Sequence, residues 1–97
     1  MLLLAAMAVC VVGYSNPHSH VVQKAADAVE HGYLLAHANK LILPNEPSTF
    51  WTQNHLAEHR GNSWVVYSRY SGAHIGIGLV MSLDEKTGCI TRIVYGA

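Results

Sequence analysis

The sequence predicts an α+β domain in which one long amino-terminal helix packs on a three- to four-stranded antiparallel meander sheet. Three observations predict it. Apolar residues recur at helical spacing over 20–39, apolar residues alternate strictly with other residues over 75–83, and turn-forming clusters separate β-branched and aromatic runs in the carboxyl-terminal half. With 97 residues the chain has room for one core, and its 51% hydrophobic against 12% charged composition excludes disorder driven by charge and polarity.

Each element has its own justification. Ser19 can cap a helix that opens at His20, with Val21, Val22, Ala25, Ala26 and Val29 on one side and Gln23, Lys24, Asp27 and Glu30 on the other. Gly32 is a candidate stop. Tyr33, Leu34, Leu35, Ala36 and His37 nevertheless carry the pattern on, so the helix is expected to run to about Asn39 with Gly32 at a packed face. Pro44 and Pro47 bracket an extended or turn segment. Residues 49–58 mix aromatic and polar side chains, His59-Arg60-Gly61-Asn62 turns, and 63–70 is rich in β-branched and aromatic residues, which together read as a hairpin. After a turn at 71–74, Ile75, Ile77, Leu79, Met81 and Leu83 alternate with Gly76, Gly78, Val80 and Ser82, so one face of that strand is core. Residues 84–88 close a turn on Gly88, and 89–95 form the last strand. Helix and meander then make two layers around one core.

The first twelve residues, MLLLAAMAVCVV, carry no charge and are followed by Gly13, Tyr14, Ser15, Asn16 and Pro17. A membrane-spanning helix needs about 20 apolar residues, so this run has the length of a secretory h-region. Gly13 and Ser15 stand two apart, as a signal peptidase requires. The expected division is a signal peptide over 1–15 and a single α+β domain over 16–97, exported to the periplasm or the extracellular space. A buried first strand or helix, or a start inside a longer reading frame, is the alternative. Val9 before Cys10 argues against a lipid anchor. Cleavage after Ser15 would leave Cys89 as a lone thiol, and a Cys10–Cys89 bridge would form only if the leader is retained.

Six Lys and Arg balance six Asp and Glu without a run of like charge, so no electrostatic footprint for nucleic acid or an anionic membrane exists. The bulk is also small for a cofactor pocket, and a binding module without enzymatic activity, cofactor or metal is the expectation. Seven histidines (18, 20, 31, 37, 55, 59 and 74) are the oddest feature of the composition. His55-Leu56-Ala57-Glu58-His59 fits the H-x-x-E-H pattern of inverted zinc proteases, which works only on a helix with a distant third ligand. In a strand the two histidines share a face with Ala57 as ordinary, partly exposed edge residues. Pro17 lacks the amide nitrogen that a terminal copper site with His18 in third place would need. Cys89 as a nucleophile would need His74 or His55 as a base beside it, whereas a small half-buried residue opening a strand needs nothing. Asp27, Glu30, Asp84 and Glu85 read as solvated groups. Trp64 reads as core.

The segments Trp64-Val65-Val66 and Leu79-Val80-Met81-Ser82-Leu83-Asp84-Glu85-Lys86-Thr87-Gly88-Cys89-Ile90-Thr91-Arg92-Ile93-Val94-Tyr95-Gly96 resemble small bacterial immunity-type proteins of the nuclear-transport-factor-2-like (cystatin-like) fold. Those proteins have a helix, a W-x-V strand and a last hairpin of the same form. The likeness in layout covers about 19–97 and departs at 71–78, where the family pattern has a Gly-Gly pair. The D-x-x-T-G hairpin also resembles the PepSY domains of secreted protease propeptides and inhibitors. The first resemblance implies stoichiometric neutralisation of a partner protein such as a toxin, and the second implies a protease inhibitor or a wall-associated module. Candidate contact residues, those least suited to a core, are Trp51, His55, His59, Arg60, Arg69 and Tyr70. The same fold also houses small hydrolases and isomerases, for which His37, His55 or His74 in an apolar cavity would be the mark.

Overall fold

A computed structural model describes residues 10–69 and 78–95. Helices α1 (Ala25–Ala38) and α2 (Ser48–Asn54) precede strands β1 (His55–Arg60), β2 (Ser63–Ser68), β3 (Leu79–Asp84) and β4 (Ile90–Tyr95). The strands form one antiparallel sheet in the order β1-β2-β3-β4, so the α+β meander is as the alternation implied. In that register Trp64 lies beside Leu83 and Val66 beside Met81, and these four buried side chains, with Leu79, form the sheet's half of the core. Ala28, Val29, Leu35 and Ala36 of α1 supply the other half. Gly32 is buried, and a Cβ there would stand 3.5 Å from both Val66 methyls, so glycine does sit at a packed face.

Two expectations need correction. The helix is not long: it starts at Ala25, because residues 20–22 are extended and bonded to the β3–β4 turn. The His20 and Val22 amides donate to Thr87 and Glu85 carbonyls at 3.0 and 2.8 Å, while the Val22 carbonyl accepts from Trp64 Nε1 at 3.0 Å. β-Branched valines lose little in that strand-like role, and Ser19 bonds back to the Asn16 carbonyl and caps nothing. The helix ends as expected, at Asn39. Lys40 takes the left-handed conformation (φ 57°), and the Lys40 and Leu41 amides donate to His37 and Ala36 carbonyls at 3.1 and 2.8 Å, a Schellman ending.

The second correction concerns 49–58. Its first half is the seven-residue helix α2, anchored by Trp51, which is 1% exposed and donates from Nε1 to the Val29 carbonyl at 2.8 Å. Pro47 precedes the helix, and its fixed φ suits the entry. Ile75, Gly76 and Ile77 of the expected strand, the turn at 71–74 with His74, and Tyr70 lie outside the described residues, as do residues 1–9 of the expected leader.

Residues 10–16 join the domain at the β3–β4 turn. Cys10 and Cys89 form a disulfide with their Cα atoms 5.6 Å apart, so Cys89 is not a lone thiol. The Val11 amide donates to the Ile90 carbonyl at 2.9 Å, and Asn16 Oδ1 accepts from the Ile90 amide at 2.8 Å. Ser15 and Asn39 exchange two bonds, at 2.7 and 2.8 Å. The Cys10–Cys89 disulfide is of a kind that persists in oxidising compartments. Among the described residues no helix is long and apolar enough to cross a membrane.

His31 completes this pole. It is the buried polar side chain of the core, and its Nε2–H donates to the Gly88 carbonyl at 2.9 Å. Nδ1 then carries the lone pair, buried with no hydrogen-bond partner. Burial, reinforced by the neighbouring His20, pushes its pKa down. Gly88 has φ 76°, and a Cβ there would fall 2.6 Å from His31 Nε2, so glycine is needed for both conformation and space.

Candidate functional site

Most of the residues that sequence reasoning singled out for contact lie on or beside β1. β1 pairs only with β2 and is therefore an edge strand, which leaves one side of its backbone unpaired among the described residues. His55, Ala57 and His59 share its inner face, and Glu58 and Arg60 point the other way with Leu56. The H-x-x-E-H segment is thus a strand, in which His55 and His59 share a face but stand about 13 Å apart with Glu58 on the other face, too far apart to hold one zinc. Among the described residues no three His, Cys, Asp or Glu side chains gather as a metal cluster.

His55 is held from two sides. Its ring stacks on Trp51 at 3.6 Å between centroids and 10° between planes, and Nδ1–H donates to the Trp51 carbonyl at 3.0 Å. That bond fixes the tautomer, leaving the lone pair on Nε2. Burial lowers its pKa, offset in part by the same carbonyl, so the ring is neutral at pH 7. His55 lines two clefts. The larger, about 600 Å³, is walled by Leu41, Ile42, Leu43, Phe50 and Leu79, with Lys40 and Glu46 also lining it. The smaller, about 380 Å³, lies between α1, α2 and β1 and brings His55 together with Glu30, Thr52 and Arg69.

Arg69 reaches this site because it ends α2. Its Nε donates to the Gln53 carbonyl at 3.0 Å and its amide to the Asn54 carbonyl at 2.7 Å, so a cation meets the helix's unpaired carbonyls. His59 is exposed, with Nε2 2.6 Å from Glu85 Oε1 and its ring tilted over Trp64. Arg60 is exposed beside Glu58, Nε to Oε2 3.3 Å. The structure therefore brings His55 and Arg69 together at the start of β1 and leaves His59 and Arg60 at its far end on opposite faces, with His59 paired to Glu85. Trp51 is interior and touches this site only by carrying His55. Tyr70 lies outside the described residues.

Sequence reasoning missed a second surface, the outer face of the sheet. Both helices pack on the inner face, and the register places Leu56, Tyr67, Val80 and Val94 in one row across all four strands. Leu56 and Val94 are 37% and 39% exposed, and Tyr67 and Val80 between them are half-buried. The alternation of 79–83 names the core face and therefore its opposite. Only the strand pairing shows that the outward residues line up.

No family model, curated protein or solved structure matches the chain.

Proposed function

We propose that this chain is an exported, non-enzymatic binding protein that acts by stoichiometric contact with a protein partner along the β1 edge. One observation carries the reading: a six-residue edge strand with an unpaired backbone side adjoins a cleft that gathers His55, Arg69 and Glu30. An extended segment of a partner can add to such an edge through main-chain hydrogen bonds, and the cleft can take a side chain from it. Trp51 makes the site rigid, because the His55 ring is fixed by stacking and by its Nδ1 bond before any partner arrives.

The resemblance of 64–66 and 79–96 to immunity-type proteins of the nuclear-transport-factor-2-like fold supports a toxin as the partner, and the resemblance to PepSY domains supports a protease. The Cys10–Cys89 disulfide supports an oxidising, exported location, and because Cys10 lies inside the expected leader it favours an exported chain that keeps residues 10–15 over one cleaved after Ser15. Affinity capture from envelope fractions, repeated with the Arg60→Glu, Arg69→Glu double variant, tests the reading. A single stoichiometric partner retained by the wild type and lost by the variant is expected, and its identity separates toxin from protease. Absence of a stoichiometric partner, or equal capture by the variant, would overturn it.

His55 alone favours a second reading, a small hydrolase or isomerase working in the helix–sheet cleft. A neutral imidazole with its Nε2 lone pair available is the state a general base needs. Turnover of an ester or ketone panel that is abolished in His55→Gln would establish it.

A further inference from the structure

Beyond the β1 edge, the outer face of the sheet has a pattern that fits one partner in particular. Its rows are set by the strand register. Leu56, Tyr67, Val80 and Val94 make an apolar row, and beside it run Glu58, Val65, Ser82 and Arg92. The second row is acidic at the β1 end, basic at the β4 end and uncharged between. We propose that this face associates with the same face of a second copy of this chain, related by a two-fold axis parallel to the strands.

The charges choose the partner and the axis. Rotation by 180° about an axis along the strands lays β1 of one copy over β4 of the other and β2 over β3. The apolar row then meets itself in reverse order, Leu56 against Val94 and Tyr67 against Val80. Glu58 of each copy meets Arg92 of its mate, giving two symmetric pairs of opposite sign. A two-fold axis across the strands would instead set β1 on β1 and β4 on β4, so Glu58 could not meet Arg92: an axis through their row stacks like charge on like, and any other leaves both without an opposite partner. Facing sheets pack about 10 Å apart with strands within about 30° of parallel, so twist leaves the strand-on-strand correspondence intact. Among the described residues of one chain Glu58 has only the exposed contact with Arg60, a pair that a mate's arginine can replace at little cost. Asp84 is not free to join, because its Oδ2 already accepts from the amides of Lys86 and Thr87 and from Thr87 Oγ1.

The area sets the strength. Four strands about 4.8 Å apart and six residues of about 3.3 Å rise give roughly 380 Å² of flat face per copy, near half of the usual 800 Å² per partner. The dimer is therefore weak and concentration-dependent. It leaves both β1 edges at the outside, so it doubles the partner-binding edge of the proposed function without obstructing it, and it stands whether or not that function does.

Sedimentation velocity on the full chain, from micromolar to about 1 mM at low salt, reads the association directly, since weak interfaces of this size dissociate on dilution. A monomer–dimer equilibrium is expected. Glu58→Arg and Arg92→Glu should each weaken it by about tenfold, and the double swap should restore it, because the opposite charges are then exchanged and again face each other. Circular dichroism of each variant should match the wild type, as both side chains are exposed on the outer face. A chain that stays monomeric throughout overturns the proposal, as does a dimer that the single changes leave intact or the double swap fails to rescue. Protection of this face by a captured foreign protein, with no self-association, would assign it to that partner instead.

Discussion

His31 and His55 are two solutions to the same problem, an imidazole inside a small core. Each gives one N–H to a backbone carbonyl, Gly88 for His31 and Trp51 for His55. The difference is the second nitrogen. At His31 it is buried with no partner among the described residues, whereas at His55 it belongs to a half-buried ring that lines two clefts. The first histidine stands in a pole closed by a disulfide, a positive-φ glycine and the extended 20–22 segment, and the second in a region that stays open. Polarity is spent on closure at one end and left usable at the other.

The largest effect should come from opening the closed pole. Removing residues 1–15 deletes Cys10, the Val11 bond to Ile90 and the Ser15–Asn39 exchange, and is expected to cost about 3–5 kcal/mol by denaturant unfolding, in the range of losing a native disulfide. Cys10→Ser, which keeps the backbone bonds, should recover part of that loss. Next comes Gly88→Ala, expected to cost about 2–3 kcal/mol because it combines a strained φ with a clash on His31. A deletion of 1–15 as stable as the full chain would show that the pole is held by α1 and the sheet alone.

Acid should separate the two histidines. His31 and His55 have folded pKa values below the ordinary 6.5, so the unfolded chain binds more protons, and the stability they contribute is complete above pH 6.5 and lost as pH falls through the folded values. His20 runs the other way. The His18 carbonyl and then Asp27 raise its pKa, so its contribution is present below 6.5 and lost as pH rises through the raised value. The net expectation is a melting temperature that falls between pH 7 and pH 5, with a shallower slope in His55→Gln. An unchanged slope in that variant would mean that His31 carries the whole dependence.

The smallest effect is at the end of α1. Lys40 pays the left-handed penalty that glycine avoids, and Lys40→Gly should stabilise by about 0.5–1 kcal/mol without touching either histidine.

Much of this was legible in the residues. Alternation at Leu79, Met81 and Leu83 named the core face, the Asp84 to Gly88 turn named the last hairpin, and β-strand composition put His55 and His59 on one face. The start of α1 was not legible, because Val21 and Val22 have helical spacing and only the Val22 bonds to Glu85 and the Trp64 indole, made 42 or more residues away in sequence, draw the segment out of the helix. α2 was hidden for a similar reason, since seven residues show too little periodicity and Trp51 is buried by a contact with Val29. The edge cluster was read in part: Arg60 and His59 were visible as residues unsuited to a core, but Arg69 comes to His55 only through the end of α2.

Hydrogen exchange of the full chain, alone and with its captured protein partner, would compare the two regions in one experiment. New protection concentrated over 52–57 and at Arg69, with the pole of 20–22 and 84–90 unchanged, is the expected result. Protection centred on the His31 pole, leaving the β1 edge exchanging as in the free chain, would contradict the division between a closed structural end and an open binding edge.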